Sequence, residues 1–333
     1  MYYFSDAGFG DTSKKALIIG VNGQIGSYLC DILCTKNYEI YSYGRTSATN
    51  SRVKSFIGNL IDTANLEDII KKIEPDEIYN FGAISDAVVS VQQPEETMLI
   101  NANSVMTLCR IVKSMKKKVK LFLASSAEIY KGIDDKFIDE RVLTMYPKNP
   151  YAIAKIAAYW TGRYYREQQD CFVCNGIIFN AESPRRNINF VTRKITTELQ
   201  EISRNGEHVM TIGNMTSQRD WIHAHDVATA AWLMMQQEIA DDYMICLSQN
   251  HTVKEFIEIT GAQLKISLSW KYNGLDEIGV NQQERTIIKI DPKYFRSYET
   301  NIRPILGDNS KLKSIGWKPQ YNLSQIIADM LSC

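Results

Sequence analysis

Short apolar runs alternate with stretches of helical periodicity from the start of the chain. Ala16–Ile19 is an apolar run closed by Gly20, and Ile25 to Leu33 carries apolar positions at helical spacing. Strands are predicted at Glu39–Tyr43 and Lys54–Ile57, a helix at Leu66–Ile73 and a strand at Glu77–Asn80. A helix at Thr97–Met115, a strand at Lys120–Ala124, a long helix at Tyr151–Gln168 and a strand at Phe172–Phe179 complete the series. Strands separated by helices are joined by crossovers, which places them parallel in one sheet covered on both faces. The predicted class is therefore α/β, with a doubly wound parallel sheet. After about residue 180 the rhythm breaks into polar loops, a helix at about 190–203, and then short strands and turns. That shift predicts a smaller C-terminal lobe, with a ligand cleft between the two.

Composition narrows the class without naming a chemistry. The 333 residues hold 38 Lys+Arg against 38 Asp+Glu, so no basic excess exists to support broad nucleic-acid binding. No window reaches 18 consecutive apolar residues, so no membrane helix is expected. Residues 1–13 lack a basic segment followed by an apolar one and read as an extension ahead of the first strand. Seven cysteines are scattered, mostly inside apolar runs, which fits reduced thiols and a cytoplasmic setting. Cys171 and Cys174 have CxxC spacing but open a strand-like run, whereas a redox pair should open a helix; they are read as structural. His223 and His225 have no nearby third ligand, so no metal site is expected.

The chemistry starts at the first turn. Gly20-Val21-Asn22-Gly23-Gln24-Ile25-Gly26 follows the first strand and opens the first helix. Glycines there permit a tight turn and close approach of the backbone to a pyrophosphate, whose charge then faces a helix N-terminus. A dinucleotide cofactor is expected, held by Gly20, Asn22, Gly23, Gln24, Ile25 and Gly26. NAD sites usually place a carboxylate about 20 positions on, against the ribose 2′-hydroxyl. The region Tyr43-Gly44-Arg45-Thr46-Ser47 has none, and Arg45 with two hydroxyls suits a 2′-phosphate, so the expected cofactor is NADP. Asn59 and Leu60, after the third strand, are expected near the adenine.

Tyr151 and Lys155 lie at i and i+4 and so share one helix face. A phenol is a poor base at neutral pH, but a nearby ammonium and a positive nicotinamide would favour the phenolate. Tyr151 could then take a proton from a sugar hydroxyl as hydride leaves. Upstream, the strand at Lys120–Ala124 runs into Ser125-Ser126-Ala127-Glu128. Ser126 is the expected hydrogen-bond partner at the reacting hydroxyl. Glu128 carries more information, because simple alcohol oxidation needs no second base. Eliminating water beside a new ketone does need a carboxylate, for the acidified α-proton.

The GxxGxxG spacing, with Tyr151 and Lys155 some 125 residues further on, resembles the extended short-chain dehydrogenase/reductase superfamily, whose first unit is of Rossmann type. SSAEIY (125–130), YPKNPYAIAKIAAYW (146–160), CNGIIFNAESPRR (174–186), FVTRKIT (190–196) and GNMTSQRDWIHAHDV (213–227) are more specific. Across nearly the whole chain they resemble the GDP-mannose 4,6-dehydratase family. The resemblance implies oxidation at C4 by NADP⁺, loss of water across C5 and C6, and return of hydride to C6. Tyr151 would deprotonate the 4-hydroxyl with help from Ser126 and Lys155, and Glu128 would take the C5 proton. It also implies cofactor contacts at Phe81, Gly82, Ala83, Ser85 and Arg186. Contacts to a GDP-sugar are implied at Ser85, Asn180, Val191, Lys194, Arg219, Arg296 and Glu299, with Arg303 an alternative to Arg296. A cofactor unit is expected over 14–180 with a returning segment near 222–250, and a sugar-nucleotide lobe over 181–221 and 251–333. A homodimer or homotetramer is implied as well.

The chain departs from the family pattern at several of these positions. Ala127 removes a hydroxyl next to Glu128, and Asp86 and Ala181 stand where the family has histidines. Ile25 replaces an aspartate, Ile84 a Gln or Met, and a single Arg45 replaces an arginine pair. Three readings follow: a GDP-mannose 4,6-dehydratase; a relative acting on another sugar, such as a GDP-heptose dehydratase, or stopping as a C4 dehydrogenase or epimerase; and a non-catalytic binding subunit.

Overall fold

The structure is a computed structural model that describes residues 13–133, 137–295 and 304–332. Its first five strands are β1 (Lys14–Ile19), β2 (Tyr38–Gly44), β3 (Lys54–Ile57), β4 (Glu77–Asn80) and β5 (Lys120–Ser126). With Phe172–Ile178 and Asp242–Ile245 they form one seven-stranded sheet, ordered Asp242–Ile245, Phe172–Ile178, β5, β4, β1, β2, β3. Every pairing in it is parallel. Strands covered on both faces have no polar side, and all residues of β4 and of Phe172–Ile178 are buried. One face packs Leu29, Leu33 and Phe122 against Ala228 and Met234, the other Leu66, Leu108 and Leu121.

The chain runs outward from β1 to β3 and then crosses to β4 on the far side of β1. That reversal opens a crevice at the carboxyl ends of β1 and β4, the usual ligand position in open α/β sheets. Residues 180–182 and 221–223 pair in parallel beyond the sheet. A second core lies around a four-stranded sheet ordered Ser269–Lys271, Ile278–Val280, Thr286–Ile290, Met210–Ile212. Helices Val191–Asn205, Val253–Gln263 and Leu323–Leu331 contribute Ile195, Leu199, Phe256 and Ile327 to it.

Two expectations are corrected. The helix expected over Thr97–Met115 is interrupted: Pro94–Met98 and Ser104–Ser114 are α-helical, but Leu99–Asn103 is a π-helical turn. That turn carries Asn101, a polar residue 1% exposed, whose amide bonds the Ile84 backbone of the neighbouring loop. Past residue 205 the chain is not mainly strands and turns, since it holds helices Ala224–Met235, Val253–Gln263 and Leu323–Leu331. The first of these is alanine-rich and buried on most sides, so it lacks the polar face that periodicity detects. The other two open on capping boxes, Thr252 with Glu255 and Asn322 with Gln325.

Cys174 lies inside a fully buried strand, where burial pushes its thiol up to about 12, and Cys171 just before it is also a free, buried thiol. His223 is fully buried, stacks on Tyr321 at 3.9 Å and bonds Asp329 at 3.0 Å. Cys171, Cys174 and His223 are thus bound into packing.

Candidate active site

The glycine loop sits at the crevice, and close packing explains its composition. Gly20 has φ +82°, and a Cβ there would lie 3.0 Å from the backbone of Phe81 and Gly82. At Gly26 an added Cβ would come within 2.2 Å of the Gly20 carbonyl oxygen. The first turn of helix Gln24–Cys34 bends back onto the end of β1, leaving its N-terminal amides at the crevice. Gly23 provides no side-chain cap for them. Gln24 donates to the Ala181 carbonyl at 2.8 Å while its own carbonyl oxygen is buried without a partner. Ile25 packs into the core behind the loop.

Asn22 ties the loop to the segment after β2. Its amide donates to the Ser47 carbonyl at 2.7 Å and to Thr46 Oγ1 at 3.2 Å, and its carbonyl accepts from the Thr49 amide. Arg45 lies exposed in that same segment, directly after β2. Asn59 follows β3, where its carbonyl accepts from the Tyr43 hydroxyl at 3.1 Å, and Leu60 packs close to Gly82. Phe81, Gly82, Ala83 and Ser85 leave the end of β4, Phe81 bonding Ile19 at 2.9 Å. Asn101 holds this loop at both ends of its amide, accepting from the Ile84 N–H at 2.8 Å and donating to the Ile84 carbonyl at 2.9 Å.

Ser126 ends β5, and its hydroxyl accepts from the Glu128 amide at 3.2 Å, capping a short 3-10 turn over Ala127–Tyr130. Helix Pro150–Gln169 opens nearby on Asn149, whose Oδ1 accepts from the Ala152 amide at 2.8 Å. The Tyr151 amide donates to Ser90 Oγ at 3.1 Å. Burial pushes the Tyr151 phenol up to about 12, while a hydrogen bond with Ser126 pulls it down; the charge of Glu128 raises it and that of Arg186 lowers it. Tyr151, Ser126, Glu128 and Arg186 therefore share one electrostatic neighbourhood.

Lys155 behaves differently from the reading of its spacing. Its ammonium donates to the Ala124 carbonyl at 2.7 Å and lies 5.7 Å from the Tyr151 ring centre. Burial alone pushes it down to about 8. In this structure the groups that lower the phenol are Ser126 and Arg186, because the amine is turned to the backbone of β5.

Glu128 is held through both oxygens. Oε1 accepts from Lys131 Nζ at 3.2 Å and Oε2 from Asn149 Nδ2 at 3.4 Å. Neither partner stood out in the sequence, although Asn149-Pro150 carries the signature of a helix N-cap followed by proline at the first helical position. Ser90 and Asn101 were equally silent, since their roles rest on contacts between elements distant in sequence.

The remaining positions lie on the segments after residue 180. Asn180 begins the strand paired with Trp221–His223, beside Arg219 on Gln218–Arg219. Arg186 stacks on Phe190 at 3.6 Å and lies 3.5 Å from the buried carboxylate of Glu182. Arg185 reaches back to the first helix, bonding Asp31 at 2.7 Å and stacking on Tyr28. Val191 opens helix Val191–Asn205 and is exposed. Lys194 has its ammonium on the Thr211 carbonyl at 2.6 Å and 4.6 Å from the Tyr294 ring. Arg296, Glu299 and Arg303 lie outside the described residues. No helix among the described residues is long and apolar enough to cross a membrane, and no cluster of three metal-binding side chains occurs there.

A model of the family described as GDP-mannose 4,6 dehydratase matches residues 17–330. The chain is 36% identical to GDP-mannose 4,6-dehydratase of Yersinia enterocolitica, covering 96% of this chain and 93% of that protein. It is 37% identical to the Vibrio cholerae protein of the same name, with the same coverage. Among solved structures, UDP-glucose 4-epimerase of Thermus thermophilus in complex with NAD superposes with a TM-score of 0.79 over 96% of this chain and 98% of that one, at 18% identity. The fold is thus that of the extended short-chain dehydrogenases/reductases, and the chain belongs to the GDP-mannose 4,6-dehydratase family.

Proposed function

We propose that this chain is an NADP-dependent GDP-mannose 4,6-dehydratase. The observation that carries the reading is the carboxylate of Glu128, two residues from Ser126 and held at 3.4 Å by Asn149 at the start of the helix that carries Tyr151, a second base that oxidation of an alcohol does not require. Support for a dinucleotide comes from the uncapped helix N-terminus, the close approach at Gly20 and Gly26, and the orphaned Gln24 oxygen. The residues that would hold it are Gly20, Asn22, Gly23, Gln24, Ile25 and Gly26, with Asn59, Leu60, Phe81, Gly82, Ala83, Ser85 and Arg186. When bound, the nicotinamide supplies the acceptor for the C4 hydride and its later source at C6. The absence of a carboxylate after β2, with Arg45 exposed there, favours the 2′-phosphorylated form.

Tyr151 takes the proton of the sugar 4-hydroxyl, and Ser126 hydrogen-bonds the same oxygen. Oxidation at C4 acidifies the proton on C5, which Glu128 removes; the C6 hydroxyl then leaves as water. Lys155, fixed to the backbone of β5, orients the Tyr151 helix against the strand that carries Ser126. Asn180, Val191, Lys194 and Arg219, with Ser85, Arg296 and Glu299, are proposed to receive the GDP-sugar. The cofactor unit is assigned to 14–180 with the return near 222–250, and the sugar-nucleotide lobe to 181–221 and 251–333. The enzyme is placed in the cytoplasm as a homodimer or homotetramer. Helix Pro150–Gln169 exposes Ile153, Trp160 and Tyr164, and its neighbours expose Leu99 and Met106, an apolar face suited to a second copy. Incubation with GDP-mannose should give a product lighter by one water. Accumulation of reduced cofactor without water loss would instead indicate a C4 dehydrogenase.

A further inference from the structure

We infer that Glu182 is a positioning residue of the reaction, a buried carboxylate that fixes Arg186 so that its guanidinium acts on the Tyr151 phenol. This rests on the proposed role of Tyr151 as the base. Glu182 closes the short strand Asn180–Glu182 and is 2% exposed, yet no step of the mechanism uses it. A carboxylate is seldom buried without partners, because leaving water costs it its solvation. Its Oε2 accepts from the Thr192 hydroxyl at 2.5 Å and lies 3.5 Å from Arg186 Nε. Thr192 is the second residue of helix Val191–Asn205. Between Glu182 and that helix the chain runs through turns, and Arg186 sits within them, its guanidinium 3.6 Å from the Phe190 ring.

An arginine on such a loop is placed by what holds its side chain. Glu182 meets Arg186 from the start of the loop and Phe190 from its end, while the Thr192 hydroxyl holds the carboxylate in place. Burial raises the Glu182 carboxyl, and the charge of Arg186 and the Thr192 hydrogen bond oppose it. The groups that act on Tyr151 directly are Ser126 and Arg186, which lower the phenol, and Glu128, which raises it; Lys155 is turned to the Ala124 carbonyl. Glu182 therefore reaches the phenol through Arg186, and removing its charge separates two effects of opposite sign. Bare loss of a negative charge would favour the phenolate and move the acid limb of kcat to lower pH. Release of Arg186 takes positive charge away from the phenol and moves that limb to higher pH.

The test follows water loss from GDP-mannose by the full chain with NADP saturating, as kcat against pH, for Glu182→Gln, Arg186→Met and the double variant. Arg186→Met should move the acid limb up by about one pH unit, which is about a tenfold loss of rate along that limb. Glu182→Gln should move it in the same direction. The double variant should be no worse than Arg186→Met alone, because the carboxylate acts through the guanidinium. An acid limb that stays in place in Glu182→Gln, even with a lower Tm, would overturn the inference. So would a limb moved to lower pH, or losses that add in the double variant. Should Glu182→Gln fail to fold, Thr192→Val takes its place: it should raise the limb, and Thr192→Ser, which keeps the hydroxyl, should restore it. An unmoved limb in Thr192→Val would overturn the inference equally. Failure of the underlying reading is distinct, because Tyr151→Phe would then lose water at the wild-type rate.

Discussion

At the residue scale, burial sets the state of the central pair. The phenol of Tyr151 stands high because it is withdrawn from water, and a hydrogen bond with the Ser126 hydroxyl offsets this in part. Removing that hydroxyl in Ser126→Ala should lower kcat by about 100-fold and move the acid limb of its pH profile to higher pH. An unmoved limb would remove Ser126 from the account. Lys155 carries the opposite burden. Its folded-state pKa, about 8, lies below the ordinary lysine value of 10.5, so burial of the charged form opposes folding at neutral pH. That penalty is fully present below pH 8 and disappears as pH rises to about 10.5, where the unfolded chain also loses the proton. Lys155→Met should therefore be inactive yet more stable at pH 7, by up to a few kcal/mol. The gap should narrow between about pH 8 and 10.5 in denaturant titrations. Tyr151, Lys155, Ser126 and Glu128 were legible because they recur at fixed offsets on elements whose type the sequence announces. The partners of Glu128 were not, because Lys131 and Asn149 acquire their meaning only when a 3-10 turn and a helix cap are folded against each other.

At the element scale, the first half of the sheet was readable almost residue for residue, since short strand-like runs alternate with stretches of helical periodicity. Lys54–Ile57 and Glu77–Asn80 have the bounds their patterns predict. The π-helical turn at Leu99–Asn103 was hidden because apolar spacing continues through it. It presents Asn101 to Ile84 and thereby fixes the loop that leaves β4 beside the glycine turn. Asn101→Leu should cost about 1–3 kcal/mol in chemical denaturation, the range for orphaning buried backbone groups, and weaken cofactor binding with it. Loss of stability with unchanged cofactor affinity would confine the π turn to a packing role. Beyond residue 205, the buried alanine-rich helix Ala224–Met235 escaped notice because periodicity reports amphipathic helices and this one has little polar face.

At the scale of the whole molecule, net neutrality conceals a local arrangement of charge. The arginines expected to meet anionic ligands are dispersed over segments that the fold gathers, and one is already engaged: Arg186 with Phe190 and Glu182. Arg45 lies exposed directly after β2, where the proposal sets it against the 2′-phosphate of the cofactor. Arg45→Ala should weaken NADP binding about tenfold to a hundredfold and leave NAD binding unchanged, measured by calorimetry. Equal losses for both would contradict the 2′-phosphate assignment. The central claim is that one site oxidises C4, removes water across C5 and C6, and returns the same hydride to C6. GDP-mannose carrying deuterium at C4 tests it most directly. The account predicts a 4-keto-6-deoxy product that has lost one water and carries the deuterium at C6. Deuterium found in the nicotinamide, or a product that retains its C6 hydroxyl, would contradict it.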